Sequence, residues 1–418
     1  MRRAGLAIAF LASTLLAVGG LHAEDPSSVR RVVVTGQAAP GGGTFDRFSV
    51  ESLPIVAPIN GKGQVAFFAT ILRGRSSEGL FVSSGERIGK LAADGDAAPG
   101  GGVFSGFGRH PVPALNEGGE LAFAAAIVGA RAVEGIFVAS PRGTRAIALA
   151  GAAAPDIPSG TIASLDAPAI NDRGDVAFLA TVRRGRESLD AIYLHSGGKS
   201  RKVVAQGDPA PAGGAFTGFG PPALNGKGLV GFGAVVEGRA VPGGLFVSQG
   251  GAIRMLVGAG EETPDGGIFA KFSERVAVND AGAVAFNAIL KGAPTSGAIY
   301  VVDDRVRRIA GLGDPVPGGG VFSHFGLWPS LSATGAVVFA ASVDGGASPV
   351  AVFAASRKAI SRVAGVGDRL PGGGTLVSFG LYPFAAASRA GAITFATAPD
   401  AVGAGAEGIF AIDPASVR

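Results

Sequence analysis

The chain has 418 residues and a formal net charge of +4, of which Arg2 and Arg3 supply half. This small charge gives no reason to expect a nucleic-acid partner, and the absence of cysteine excludes disulfides and thiolate metal ligands. Gly and Pro are abundant, at 70 and 26 residues, but the chain is hydrophobic on average and strongly periodic, which argues against disorder.

The N-terminus is typical of a secretory signal. Arg2 and Arg3 precede an apolar stretch, and Leu21-His22-Ala23 offers a cleavage site before Glu24. We therefore predict a signal peptide at 1–23 and one exported domain at 24–418, periplasmic or extracellular. An uncleaved anchor is the alternative for the first stretch. Beyond it, no apolar run is long enough to span a bilayer.

One pattern then recurs seven times, namely Asn-x-x-Gly followed by an apolar stretch that ends in Phe. Successive Phe residues lie between 53 and 56 residues apart. They are Phe67, Phe123, Phe178, Phe232, Phe286, Phe339 and Phe395. The Asn-x-x-Gly segment is a turn signature, because Asn bonds nearby backbone and Gly adopts positive φ. The Phe is expected to pack between neighbouring units.

Each unit contains four short alternating runs separated by turn residues, and helical periodicity is absent after the N-terminal stretch. Seven units of four strands predict an all-β fold, a seven-bladed β-propeller. The mature chain begins with a fourth-strand sequence at 29–36 and finishes after a third-strand sequence at 408–412. We therefore expect the N-terminal strand to complete the last blade and close the ring.

The motif Asn-x-x-Gly-x-x-Ala-Phe resembles the NxxGxxAF tandem-repeat family of bacterial exported proteins. It is complete at 60–67, 116–123, 171–178 and 279–286. The fourth copy has Gly231 for Ala, and the last two begin with Ser332 and Ser388. The resemblance covers almost all of the mature chain and implies an exported repeat protein, but it implies no activity.

No cofactor motif is present: there is no P-loop, no Gly-x-Ser-x-Gly elbow and no calcium loop. His110, His195 and His324 do not have metal-ligand spacing. One turn position is acidic in five units, and either these residues cap the turn or they form a ring that binds a cation. They are Asp96, Asp208, Glu261, Asp314 and Asp368.

Two departures from the repeat predict a ligand site. Units 1, 2 and 7 carry extra residues before the Asn, and we expect Glu51, Arg109, His110 and Tyr382 at the mouth of the channel, where the inner strand begins. Trp328 in unit 6 either adds a stacking surface or packs as an ordinary strand residue.

The second departure is an acidic residue before the third strand in units 1, 2, 3 and 7. These residues are Glu78, Glu134, Asp190 and Glu407. The preceding loops carry arginines, namely Arg73, Arg75, Arg131, Arg183, Arg184 and Arg186. One arc of one face is therefore expected to be polar, either as a ligand site or as a solvated face with local ion pairs.

These features favour a monomeric, non-enzymatic scaffold that binds a protein or glycan near blades 7, 1 and 2. A hydrolase or lyase acting on a sugar or lactone is one alternative, with His110 and Glu51 or Arg109 as acid–base groups. A structural envelope or matrix component is the other.

Overall fold

The computed structural model describes residues 29–50, 53–107, 112–211, 213–238, 242–399 and 406–413. In these ranges it has 32 strands in seven antiparallel sheets and no helix. The sheets follow one another around a ring, so the fold is the predicted seven-bladed β-propeller. No helix in the described part of the chain is long and apolar enough to cross a bilayer.

The first three blades contain the following strands. Blade 1 has β2 (Thr44–Phe45), β3 (Val65–Leu72), β4 (Glu78–Ser84) and β5 (Arg87–Ala93). Blade 2 has β6 (Val103–Gly106), β7 (Ala114–Leu115), β8 (Leu121–Val128), β9 (Glu134–Ser140) and β10 (Gly143–Leu149). Blade 3 has β11 (Thr161–Ile170), β12 (Val176–Arg184), β13 (Glu187–Ser196) and β14 (Lys199–Ala205).

The next three blades repeat the arrangement. Blade 4 has β15 (Ala215–Phe219), β16 (Ala223–Leu224), β17 (Val230–Glu237), β18 (Gly243–Gln249) and β19 (Ala252–Gly258). Blade 5 has β20 (Ile268–Phe272), β21 (Ala277–Val278), β22 (Val284–Lys291), β23 (Gly297–Val302) and β24 (Val306–Gly311). Blade 6 has β25 (Val321–Phe325), β26 (Ser330–Leu331), β27 (Val337–Asp344), β28 (Val350–Ala355) and β29 (Ile360–Gly365).

Blade 7 closes the ring with strands from both ends of the chain. It combines β30 (Ala385–Ala387), β31 (Ile393–Thr397) and β32 (Gly408–Ile412) with β1 (Val29–Val34). β1 pairs antiparallel with β32, from Val29 opposite Ile412 to Val34 opposite Gly408. The predicted ring closure is confirmed. The predicted signal peptide lies outside the described residues.

Each Asn-x-x-Gly turn joins the innermost strand of a blade to the second strand. Asn60 Oδ1 accepts the N–H groups of Lys62 at 3.1 Å and Gln64 at 3.0 Å, and Gly63 has a φ of 75°. The turn prediction is confirmed, but the Asn also links blades, because its Nδ2 donates to the carbonyl of Asn116 in the next blade at 3.1 Å. The same link continues around the ring as far as Ser332.

The repeated Phe residues pack at the blade junctions, as predicted. Phe67 lies in an apolar cluster with Val33 and Ile409 of blade 7, and its ring stacks on Phe81 at 5.7 Å. Each of the seven junctions has such a cluster. Burying one Phe contributes roughly 1.5–3 kcal/mol, so the junctions hold the ring together without disulfides.

The innermost strand is in two pieces in blades 2, 4, 5 and 6. In blade 6 the pieces β25 and β26 both pair with β27, and the segment between them includes Gly326 and Pro329. Proline cannot donate to a strand ladder, so the ladder is interrupted there. Trp328 therefore lies between the two pieces of the innermost strand of blade 6, whereas Tyr382 lies three residues before β30, the innermost strand of blade 7. Their predicted place at the mouth of the channel stays a prediction.

Candidate functional site

The two ends of the propeller carry different connections. The loop face holds the loops between second and third strands together with the connections between blades. The NxxG face holds the Asn-x-x-Gly turns and the hairpins between third and fourth strands. Among the described residues, the large apolar side chains that are exposed lie on the loop face or the channel wall. They are Leu72, Val128, Val133, Val235, Ile268, Ile289, Val321, Leu327 and Leu381.

Glu407 links blade 7 to blade 1 on the loop face. Its side chain is buried, and Oε2 accepts the N–H groups of Phe48 and Ser49, the latter at 3.1 Å. Its Oε1 accepts the hydroxyl of Ser49. The carboxylate therefore points into the junction and satisfies backbone donors of the next blade.

The same link recurs at the next two junctions. Glu78 Oε1 accepts the N–H of Phe107 at 2.9 Å, and Glu134 Oε1 accepts the N–H of Leu165 at 2.9 Å. Burial raises the pKa of Glu78, the N–H of Phe107 acts in the opposite direction, and the charge of Asp94 raises it further.

The shorter Asp190, at the junction between blades 3 and 4, does not make this bond. Its Oδ1 accepts the hydroxyl of Thr181 at 2.8 Å instead. Blades 4, 5 and 6 have Gly243, Gly297 and Val350 at the position, so they have no carboxylate there. The acidic asymmetry in the sequence thus corresponds to carboxylate links at three consecutive junctions.

The arginines of the same arc remain exposed. Arg184 pairs with Glu187 at 2.9 Å. The other five form no ion pair or side-chain hydrogen bond with any described residue; they are Arg73, Arg75, Arg131, Arg183 and Arg186. Because the carboxylates face inward and these guanidinium groups face solvent, the exposed charge of the arc is positive.

A second cluster lies on the channel wall of blades 5 to 7. The Arg275 guanidinium carbon lies 4.8 Å from the centre of the Trp328 ring, and the ring of Phe384 meets Trp328 edge-on at 5.9 Å. Burial lowers the pKa of Arg275 to about 10, against the opposing effect of Asp166 and Glu274. Arg275 therefore remains a cation at neutral pH, stacked on an aromatic face.

Asn287 holds the segment that carries Trp328. Its Nδ2 donates to the carbonyls of Gly326 at 2.6 Å and Leu327 at 3.3 Å. Its Oδ1 is buried and has no partner among the described residues. A buried unpaired oxygen is unfavourable, and it distinguishes this position from the apolar residues that follow the repeated Phe in other blades.

Sequence reasoning missed Arg275 and Asn287. Arg275 lies three residues after Phe272. Trp328 and Tyr382 likewise lie three residues after a Phe, so an alignment of the repeats at these Phe residues could have found Arg275. Tyr382 is half-buried in the equivalent segment of blade 7. Glu51, Arg109 and His110 lie outside the described residues.

The predicted cation candidates mostly cap turns. Asp96 Oδ2 accepts the N–H of Ala93 at 2.9 Å, and its Oδ1 lies 2.7 Å from Nζ of Lys90. Asp208, Asp314 and Asp368 have the same two kinds of partner. Glu261 has no such side-chain contact within the described ranges. In these ranges, no three His, Cys, Asp or Glu side chains are grouped to hold a metal ion.

The channel is crossed by an ion-pair bridge near the NxxG face. Arg389 Nη1 of blade 7 lies 2.8 Å from Asp172 Oδ2 of blade 3 and 2.7 Å from Asp280 Oδ2 of blade 5. These residues line a cavity of about 130 Å³ together with the repeated asparagines. Sequence reasoning missed the bridge, although all three residues directly follow the repeated Asn or Ser.

The propeller is similar to solved structures at low identity. An oligogalacturonate lyase in complex with manganese is 14% identical to this chain and has a TM-score of 0.52. The match covers 93% of this chain and 98% of the lyase chain. A puromycin hydrolase is 12% identical and has a TM-score of 0.44; the match covers 87% of this chain and 53% of the hydrolase chain. An ulvan lyase of polysaccharide lyase family 25 is 9% identical and has a TM-score of 0.37; the match covers 77% of this chain and 86% of the lyase chain.

These similarities show the propeller fold alone, and this chain spans about half the length of the puromycin hydrolase. A search among curated proteins gave no match. The resemblance to NxxGxxAF repeat proteins stays a prediction. The profile of a family described as "Family of unknown function (DUF7453)" matches residues 7–305 and 295–417. Because this match spans nearly the whole chain, the protein belongs to the DUF7453 family.

Proposed function

We propose that the protein is an exported, non-enzymatic scaffold that binds a glycan on the loop face. The proposal depends on the charges of the arc of blades 7 and 1 to 3, where carboxylates are bonded within the blade junctions and arginines are exposed. Glu407, Glu78 and Glu134 bond to the next blade, whereas five arginines are exposed and have no partner among the described residues. Such a surface attracts anionic or strongly polar ligands.

Exposed apolar side chains on the same face support a binding role. Val133 is 63% exposed and Val128, in the same blade, is 55% exposed. Neighbouring exposed apolar side chains with a polar rim are typical of binding surfaces. Trp328 and Arg275 add an aromatic ring and a cation on the channel wall. An oligogalacturonate lyase has the same fold, so this architecture can accommodate a sugar chain.

The rival function is a hydrolase or lyase. It depends on His110 and Glu51, which lie outside the described residues, and no described contact favours it. A scaffold and an enzyme differ in what happens to the bound glycan, because only an enzyme returns a shortened chain or a new chain end.

The test is a glycan array with purified protein, followed by amide hydrogen exchange with the best ligand. We expect slower exchange in the loop-face connections and unchanged exchange in the Asn-x-x-Gly turns, which serve as an internal control. The glycan should be recovered intact. Cleavage products would favour the enzyme, and an array without any binding would contradict a glycan scaffold.

A further inference from the structure

A cleft opens on the loop face between blades 2 and 3. Arg131 and Val133 line it from blade 2, and Thr161, Ile162 and Arg183 line it from blade 3. Its volume is about 520 Å³, which is within the range of small-molecule sites, about 300–1,000 Å³. The cleft therefore combines two guanidinium groups with hydroxyl and apolar walls.

The connection that enters blade 3 gives the cleft its shape. Other blades have glycines after the proline of this turn, but here Asp156 and Ser159 adopt a φ of 59° without being glycine. Such conformations are strained for ordinary residues and occur often at functional sites. Ser159 lines the cleft, whereas Asp156 Oδ2 is held away from it by the N–H of Lys202 at 2.9 Å.

Among the described residues, no acidic side chain compensates the charge in the cleft. No carboxylate lines it, and neither Arg131 nor Arg183 has an ion-pair partner among the described residues. Glu134, three residues after Arg131, is bonded to the backbone of Leu165. Guanidinium groups form paired hydrogen bonds with planar or tetrahedral oxyanions, so the cleft has the chemistry to hold an anionic group.

We propose that this cleft binds the carboxylate or sulfate of an acidic glycan between Arg131 and Arg183. The sugar ring lies against Val133, which is exposed, and Ser159 and Thr161 offer hydroxyl groups to it. The inference rests on the proposed glycan-binding function and names its ligand class and contact residues.

Calorimetric titration of the purified protein tests the inference. The probes are an oligogalacturonate, a sulfated oligosaccharide, a neutral maltooligosaccharide and a single-stranded oligonucleotide. The test variant is Arg131→Gln/Arg183→Gln. Arg184→Gln is the matched control, because Arg184 is adjacent in sequence but pairs with Glu187.

We expect an acidic glycan to bind more tightly than the neutral one and the oligonucleotide, and more weakly at high salt. The double variant should lose about tenfold or more in affinity, whereas Arg184→Gln should keep it. The carboxylate and sulfate probes distinguish the two anion sources. Acidic-glycan affinity unchanged in the double variant, neutral-glycan preference, or equal oligonucleotide binding would overturn the cleft assignment. No binding to any glycan would instead overturn the proposed function.

Discussion

At the residue scale, the hydroxyl of Tyr193 is buried without a partner among the described residues. Tyr193 and Tyr300 occupy a position that is Phe in the other five blades. Burial and the charge of Asp156 raise the pKa of Tyr193 to about 12. The aromatic ring is required by the junction, whereas the hydroxyl adds an unsatisfied polar group.

We therefore expect Tyr193→Phe to stabilise the protein. Removing a buried, unpaired hydroxyl should raise the free energy of unfolding by about 1 kcal/mol. The measurement is a urea titration of both proteins. Phe137→Tyr at the same position of blade 2 is the matched control and should destabilise. A lower stability of Tyr193→Phe would show that the hydroxyl has a partner in solution.

Glu78 makes stability depend on pH. Burial raises its pKa, so the folded protein retains this proton at a pH where the unfolded chain has lost it. The resulting stability is fully present below the ordinary value of 4.5 and is lost as the pH rises through the folded-state pKa.

The Glu78→Gln variant should remove this contribution, because Gln is neutral and can still accept the N–H of Phe107. Thermal melts between about pH 4 and 8 should therefore decline less with pH than those of the native protein. Glu86→Gln, at an exposed hairpin residue, is the control. Parallel pH profiles of Glu78→Gln and the native protein would refute this assignment.

At the scale of elements, carboxylate links strengthen only part of the ring. The junctions before blades 1, 2 and 3 have them, whereas those that follow Gly243, Gly297 and Val350 do not. The latter junctions rely on apolar packing and on other polar contacts, such as that of Asn287 with Gly326.

We expect Glu407→Ala to be strongly destabilising. It removes the acceptor for two backbone donors and one hydroxyl, and each buried unsatisfied group costs about 1–3 kcal/mol. A loss of about 3 kcal/mol in a denaturant titration is the expected result. Val350→Ala, at the equivalent position of blade 6, should cost only about 1 kcal/mol. Equal losses in the two variants would rule out a special role for the carboxylate.

The strands of the blades can be predicted from the sequence, but the direction in which their polar side chains point cannot. Glu407 was identified as unusual because it breaks the repeat. Whether its carboxylate faces solvent or the next blade depends on a junction formed with Phe48, at the other end of the chain. Arg275 and Trp328 likewise meet only after folding. The spacing of the repeats determines which residues of the seven units are equivalent. Contacts between residues that are not equivalent can be identified only in the three-dimensional ring.

At the scale of the whole molecule, the number of blades and the closure could be predicted because both follow from a period. β1 contributes Val32 and Val33 to the core and covers one edge of β32. An uncovered edge strand can pair with other chains. The ring therefore depends on a strand that is remote from its partner in sequence.

Deleting residues 29–36 should lower the melting temperature sharply and promote association. A chain that starts at residue 29 is the matched control and should melt like the full mature protein. Calorimetry and light scattering provide the two measurements. A melting temperature unaffected by the deletion would contradict closure by β1.

The β1–β32 pairing also constrains synthesis. The first strand of the propeller to be synthesised, β1, must wait for the last one, β32, because Val29 pairs with Ile412. Contacts this distant in sequence form slowly, and incomplete chains expose unpaired edges. Earlier blades can assemble on the nascent chain, but the ring closes only after β32 has been synthesised. Premature termination anywhere before β32 thus yields an open arc of blades rather than a smaller closed propeller.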